Sequence, residues 1–104
     1  MSREALKQRQ IARLRSLLDE VFRSNAFWQD RFATSGLSAA DLDSIDSVAG
    51  LSMMPLTQKS DLVADQQAHP PYGTNLTYGR SAYSRLHQTS GTTTGHPMRW
   101  LDTP

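Results

Sequence analysis

A stretch rich in proline and glycine, HPPYGTNLTYGR at residues 69–80, separates two parts of the chain that have different periodicities. Before it, apolar residues recur at spacings of three and four, which is typical of helices. After it, short segments alternate as strands do, and prolines and glycines at this density indicate a surface loop between the two parts. The sequence therefore predicts an α+β chain that is helical over residues 1–66, forms a loop over 67–81 and ends in a β-hairpin over 82–104.

The first helix has an apolar stripe and a basic front half. The stripe consists of Ile11, Leu14, Leu18, Val21 and Phe22, widened by Leu6 and Leu17. The basic residues are Arg3, Lys7, Arg9, Arg13 and Arg15. A basic amphipathic helix can bind an anionic membrane or partner. An ordinary packing helix with a solvated face is the favoured interpretation, since Asp19 and Glu20 dilute the charge further along.

Shorter helices are predicted to follow. The segment SNAFWQDRFATSG presents a bulky face and ends at Gly36. In the segment SAAD, Ser38 and Asp41 have the spacing of a capping box, in which each residue caps the other. One more short turn is expected in DSVAGL, and a further capped turn in TQKSDLVAD, which begins with Thr57.

Composition excludes several classes of protein. Leu, Ile, Val and Phe together make up only 20 of the 104 residues, so the chain is poorly equipped to fold alone. The net charge of +1 gives no bulk attraction to nucleic acid, and no apolar stretch approaches a membrane span. Cysteine is absent, which excludes disulfides, zinc–thiolate sites and thiol nucleophiles. A cytoplasmic chain without nucleic-acid or membrane partners is expected.

The loop TSGTTTGHP, residues 89–97, is expected to join strands over 82–88 and 98–102. Its nine residues exceed the length of an ordinary hairpin loop, and long ordered loops are usually functional. Glycines let a ligand approach the backbone, while successive N–H groups and hydroxyls can surround an anion such as phosphate. A polar loop without a ligand explains the same composition, and the residues alone leave both interpretations open.

Better-known catalytic and phosphate motifs do not fit this loop. A P-loop needs Lys and then Ser or Thr after its second glycine, but His96 and Pro97 stand there. Ser90 lacks the frame of a nucleophile elbow, so it is interpreted as a hydrogen-bond donor, and no catalytic residue is predicted. The spacing of His69, His87 and His96 matches no common metal site, so no metal ligand is predicted either.

The loop resembles the ATP-phosphate loop of adenylate-forming enzymes, whose usual form is T-S-G-T-T-G-x-P. The preceding residues resemble the phenylacetate–CoA ligase branch of that superfamily. Its segment N-x-F-[YW]-x-x-x-F is matched by Asn25, Phe27, Trp28 and Phe32. Its segment L-x-x-x-P-x-T-x-K-x-D-L is matched by Leu51, Pro55, Thr57, Lys59, Asp61 and Leu62. The resemblance runs from residue 17 to residue 103.

This resemblance implies a function and a set of binding residues. The family joins a small carboxylic acid to the AMP part of ATP, releases pyrophosphate, and transfers the acyl group to coenzyme A. The residues implied to bind the ATP phosphates are Ser90, Gly91, Thr92, Thr93, Thr94 and Gly95. Three threonines stand where the usual motif has two, so the sequence leaves open which hydroxyl contacts a phosphate.

In the family, the ligands of Mg²⁺, the adenine and acyl pockets and a mobile lysine all follow this loop. The chain is therefore expected to be the N-terminal portion of a longer ligase and to be inactive alone. Two alternatives remain. The chain could be a non-enzymatic interaction module that uses its basic helix, or a relative that transfers the acyl group to another acceptor.

Overall fold

The computed structural model describes residues 2–91 and 95–104, with the side chain of Val48 left out. The described chain is mostly helical and ends in one antiparallel pair of strands, which confirms the α+β prediction. The helices are α1 (Arg3–Ser24), α2 (Ala26–Thr34), α3 (Ala39–Asp43) and α4 (Lys59–Ala68), and the strands are β1 (Arg85–Gln88) and β2 (Arg99–Asp102). Short 3-10 segments form at Val48–Met53 and Arg80–Ala82.

Contacts divide the chain into two compact units. The first consists of Met1–Ser24 and Trp28–Pro55, and the second of Asn25–Phe27 and Leu56–Pro104. No helix among the described residues has both the length and the apolar character needed to cross a bilayer.

The core of the first unit is built around Phe32, of which 1% is exposed. The rings of Phe22 and Trp28 lie 6.0 and 5.6 Å from the Phe32 ring, centroid to centroid. The other buried members of the cluster are Leu18, Leu42 and Ile45. Aromatic rings bury large apolar areas, so this cluster compensates for the small number of aliphatic residues.

The apolar stripe of α1 is only partly used in packing. Leu18 is buried and Leu14 packs beside it, but Leu6 and Leu17 are 46% and 55% exposed. The Arg15 Nε donates to the carbonyl of Ile45 at 2.9 Å, which attaches the middle of the helix to the segment after α3. The predicted widening of the stripe by Leu6 and Leu17 is therefore wrong, because both residues stay about half exposed to solvent.

The second unit is held by many hydrogen bonds between side chains and backbone. The Asp65 carboxylate of α4 accepts from the Thr74 amide and hydroxyl, at 2.7 and 2.6 Å. The buried Asn25 donates its side-chain amide to Asn75 and Thr77. The Tyr83 hydroxyl accepts from the amides of Thr77 and Tyr78 (3.0 and 3.2 Å). These bonds fix the proline- and glycine-rich segment that the sequence predicted to be a surface loop.

The strands are shorter than the ranges 82–88 and 98–102 that the sequence predicts. A 3-10 turn at Arg80–Ala82 precedes β1, which therefore begins only at Arg85. Since β2 begins at Arg99 and not at Met98, the segment between the strands has ten residues, 89–98. Among the described residues, Gly91 is the single buried position beyond Val63. Leu86 and Trp100 are 53% and 43% exposed. The hairpin therefore buries little apolar surface.

The capping box at α3 is confirmed. The Ser38 amide and hydroxyl donate to Asp41 Oδ2 at 2.8 and 3.0 Å, and Ser38 Oγ accepts from the Asp41 amide at 3.3 Å. At α4 the capping residue is Gln58, whose amide donates to the Asp61 carboxylate at 2.9 Å. The cap thus lies one residue after the Thr57 at which the sequence begins this turn, and the helix itself begins at Lys59.

The capping box predicts a pH dependence of stability. The backbone amide of Ser38, followed by its hydroxyl, lowers the pKa of Asp41 because both hydrogen bonds favour the carboxylate. A lowered pKa stabilises the fold above the pKa of the unfolded carboxyl, and this contribution is lost as the pH falls through the folded value. Asp41→Asn should therefore lower the urea midpoint at pH 7 and have progressively less effect toward pH 3.

Asp43→Asn is the matched control, since it removes the same charge from the same helix outside the capping box. Urea titrations of both variants at several pH values test the prediction. Equal effects of the two substitutions at every pH would contradict it.

Candidate functional site

The loop between β1 and β2 is closed at its base by Thr89 and Met98. The strands pair antiparallel, from Arg85 opposite Asp102 to Gln88 opposite Arg99. One residue further, the Thr89 amide donates to the Met98 carbonyl at 2.9 Å. The Met98 amide donates in turn to Thr89 Oγ1 at 2.8 Å. The threonine side chain thus takes a bond that would otherwise belong to the strand ladder, and it fixes the two ends of the loop together.

Two glycines shape the loop above this base. Gly91 and Gly95 have φ angles of 78° and 76°, which residues other than glycine rarely adopt. The Gly95 amide donates to the Gly91 carbonyl at 2.8 Å. Because this amide already bonds within the loop, it offers no donor to a ligand in this conformation. The predicted binding residues Thr92, Thr93 and Thr94 lie outside the described residues.

Gly91 is required by the chain itself. A Cβ atom placed on Gly91 would lie 2.8 Å from the Pro97 nitrogen and 2.9 Å from the His96 carbonyl carbon. The backbone after the loop therefore packs directly on this glycine. A Cβ on Gly95, by contrast, would meet nothing within 4 Å. The sequence explained Gly91 by the approach of a phosphate, but the close approach of residues 96–97 is sufficient to demand glycine here.

The hairpin carries a histidine–carboxylate pair that the sequence analysis missed. His87 Nε2 lies 2.9 Å from Asp102 Oδ2, and the imidazole stacks on the Trp100 indole at 5.1 Å between ring centroids. Antiparallel register explains the group, because His87 and Trp100 are direct partners and Asp102 follows two residues later on the same face. The side chains of His87 and Asp102 are 41% and 51% exposed, so the pair contributes little to stability.

Gln66 of α4 is a second residue that the sequence analysis missed. Its Oε1 accepts from the Arg99 amide at 2.9 Å, and its Nε2 donates to the Arg99 carbonyl. Arg99 also donates from Nε to Gln88 Oε1 at 2.8 Å, across the two strands. The one signal in the sequence is that Gln66 follows Leu62 by four residues and so lies on the same helix face.

The chemistry available in the described loop is that of binding. Ser90 carries an exposed hydroxyl position at the start of the loop, and Thr89 is occupied in closing its base. Within the described residues, no three His, Asp or Glu side chains gather as metal ligands would. The site can therefore supply hydroxyl groups and a constrained backbone.

The two glycines predict substitutions with different costs. Gly95→Ala should destabilise the hairpin by about 1 kcal/mol, because it introduces only the strain of a positive φ. Gly91→Ala should cost about 3 kcal/mol, since its Cβ also collides with the backbone of residues 96–97. Urea unfolding, followed with the amide signals of Thr89 and Met98, measures both effects. Equal costs would show that the close packing on Gly91 is absent in solution.

No family model matches the chain, and no curated protein matches it. Solved structures of 2-hydroxyisobutyryl-CoA ligase, an adenylate-forming CoA ligase, do match. A complex of that enzyme with 2-HIB-AMP and CoA in the thioesterification state has 25% sequence identity and a TM-score of 0.83, and the match covers 99% of this chain and 21% of the ligase.

The same ligase in the postadenylation state with 2-HIB-AMP has 22% identity and a TM-score of 0.82, with 99% and 20% covered. Its open conformation with 2-HIB-AMP and CoA gives 22% and 0.82, with 99% and 23% covered. The chain spans about a fifth of the length of the structures that it matches. It therefore has, over nearly its whole length, the fold of part of an adenylate-forming CoA ligase.

Proposed function

We propose that the chain is part of an ATP-dependent carboxylate–CoA ligase and carries the loop that binds the ATP phosphates. The observation that carries this proposal is the coincidence of two independent features. The fold matches a CoA ligase over 99% of the chain, and the hydroxyl-rich loop of residues 89–97 joins two paired strands in that fold. The composition of the loop alone leaves a ligand-free turn equally acceptable.

The proposed reaction has two steps. A carboxylate oxygen attacks the α-phosphorus of ATP, pyrophosphate leaves, and an acyl-adenylate forms. The sulfur of coenzyme A then attacks the acyl carbon, and AMP leaves. The loop would act in the first step, because hydroxyl donors from Ser90 and the threonines at 92–94 would offset the negative charge of the phosphates.

The residues of the loop fit a polyphosphate better than a metal ion. Hydroxyls that rotate and a backbone constrained by two glycines suit phosphate oxygens. Residues 89–97 contain no carboxylate, so the Mg²⁺ that accompanies ATP would be held by residues outside this loop, as the family resemblance also implies. Because the Gly95 amide donates to the Gly91 carbonyl, this amide would not be among the donors that the loop offers.

For the carboxylic acid that the ligase activates, the proposal names a chemical class and not a single compound. The resemblance of residues 25–32 and 51–62 to the phenylacetate–CoA ligase branch implies an aryl acid such as phenylacetate. The matching structures are of 2-hydroxyisobutyryl-CoA ligase, and 2-hydroxyisobutyrate is a small branched hydroxy acid. Their complexes with an acyl-AMP and with CoA support coenzyme A as the acceptor over other acyl acceptors.

One observation favours an interaction module as the second candidate. The front half of α1 is exposed, and it combines basic residues with the solvent-exposed Leu6. If this surface carries the function, charge reversal at Arg9 and Arg13 should abolish partner binding, with ATP irrelevant. If the ligase proposal holds, the same substitutions should leave the affinity for ATP unchanged.

The first test of the ligase proposal is activity. The pure 104-residue chain should release no pyrophosphate with ATP and either phenylacetate or 2-hydroxyisobutyrate, because the remaining reactants are not positioned. The longer ligase that carries this chain should release it with at least one carboxylic acid. A continuous pyrophosphate assay measures both. Reproducible turnover by the pure 104-residue chain would contradict the proposal.

The second test distinguishes a ligand loop from a turn. Val replaces Thr with nearly equal volume but removes the hydroxyl, so Thr92→Val, Thr93→Val and Thr94→Val each delete one proposed donor. At least one should raise the KM for ATP in the ligase about tenfold, as loss of a hydrogen bond to a charged group would. Thr103→Val, outside the loop, is the control. Three loop variants with wild-type KM values would leave only the turn interpretation.

A further inference from the structure

The side-chain amide of Gln66 makes the pair of hydrogen bonds that a neighbouring strand would make. Its Oε1 accepts from the Arg99 amide at 2.9 Å, while its Nε2 donates to the carbonyl of the same residue. A strand added to this edge of the sheet would offer the same donor and acceptor to Arg99. The helix α4 therefore covers the edge of β2 through one residue.

The register of the hairpin explains why Arg99 is available to Gln66. Thr89 and Met98 are bonded across the hairpin, and in an antiparallel pair the residues alternate between facing the partner strand and facing away from it. Arg99 is the next residue along, so its amide and carbonyl point to the outer edge of β2. Both groups are satisfied by Gln66, and the bonds are part-buried.

The surroundings of Gln66 strengthen these bonds. A cavity of 150 Å³ beside the amide is lined largely by apolar side chains, among them Leu62, Leu76 and Leu101. A hydrogen bond in such surroundings is stronger than one in water, and an amide without its partner there would be costly. Gln66 is therefore restricted to the orientation in which it holds Arg99.

We infer that Gln66 is a positioning residue for the phosphate loop, an inference that rests on the proposed function. Arg99 directly follows Met98, which closes the base of the loop, and Pro97 packs on Gly91 one residue earlier. Fixing Arg99 on α4 thus fixes the segment that leaves the loop. Gln66 acts through this backbone and does not contact the nucleotide.

The test uses the full-length ligase with ATP and adenosine as probes. Gln66→Met keeps the length of the side chain but removes both hydrogen bonds. It should weaken ATP binding about tenfold, since small displacements of a binding group are costly. Adenosine lacks phosphates, so its affinity should be unchanged. Gln67→Met makes the same substitution at the exposed neighbouring position and should leave both affinities at the wild-type value.

Gln66→Glu provides a rescue experiment. A carboxylate can accept from the Arg99 amide but cannot donate to its carbonyl, whereas a protonated carboxyl group does both, as the native amide does. The ratio of variant to wild-type ATP affinity should therefore rise toward one as the pH is lowered from 7 to 5. A ratio that is independent of pH would contradict the inference.

Isothermal titration, with Gly91→Val as a reference variant, separates the possible failures. A wild-type ligase that does not bind ATP would overturn the proposed function and the inference with it. A Gly91→Val variant that binds ATP weakly beside a Gln66→Met variant with wild-type affinity would overturn the inference alone. Equal loss of ATP and adenosine binding in Gln66→Met would show a general structural role and would also overturn it.

Discussion

The organisation of the second unit depends on hydrogen bonds that polar side chains make to groups not paired within a helix or a sheet. A two-stranded hairpin is marginal in water unless another element supports it. Here Gln66 satisfies the outer edge of β2, and Asp65, on the same helix, holds Thr74. Each of these bonds is made by a side chain of α4 and lies outside the regular pairing of helix or strand backbones. They replace the packing that the small number of aliphatic residues could not provide.

The first unit compensates for the small number of aliphatic residues in a different way. Its core is concentrated in a few aromatic rings around Phe32, and α3, with five residues, is too short to persist without its capping box. Ser38 and Asp41 satisfy the free amide groups at the start of this helix. Leu42 and Ile45 are thereby held where they can pack with Phe32 and Leu18. Local hydrogen bonds and aromatic burial together define this unit.

Gly91 shows how one glycine of a family motif can have two physical explanations. The positive φ and the close approach of residues 96–97 require glycine whether or not a ligand binds. A substitution at Gly91 therefore disturbs the loop in both cases, and the threonine hydroxyls are the sharper probes of phosphate binding. Phosphate binding by this loop stays a prediction, which the likeness of the fold to CoA ligase structures that contain an acyl-AMP supports.

The sequence by itself determined the features that depend on neighbouring residues. The helical period, the capping box at Ser38, the irregular segment after α4 and the strand pattern before and after the loop all follow from local spacing. Tertiary structure decided the rest. The bonds between Gln66 and Arg99 and between Asn25 and Asn75 join positions 33 and 50 residues apart, and local spacing does not indicate which distant residue either amide contacts. Likewise, the packing of residues 96–97 on Gly91 depends on how the loop returns, because a clash between two backbone segments exists only after the chain has folded.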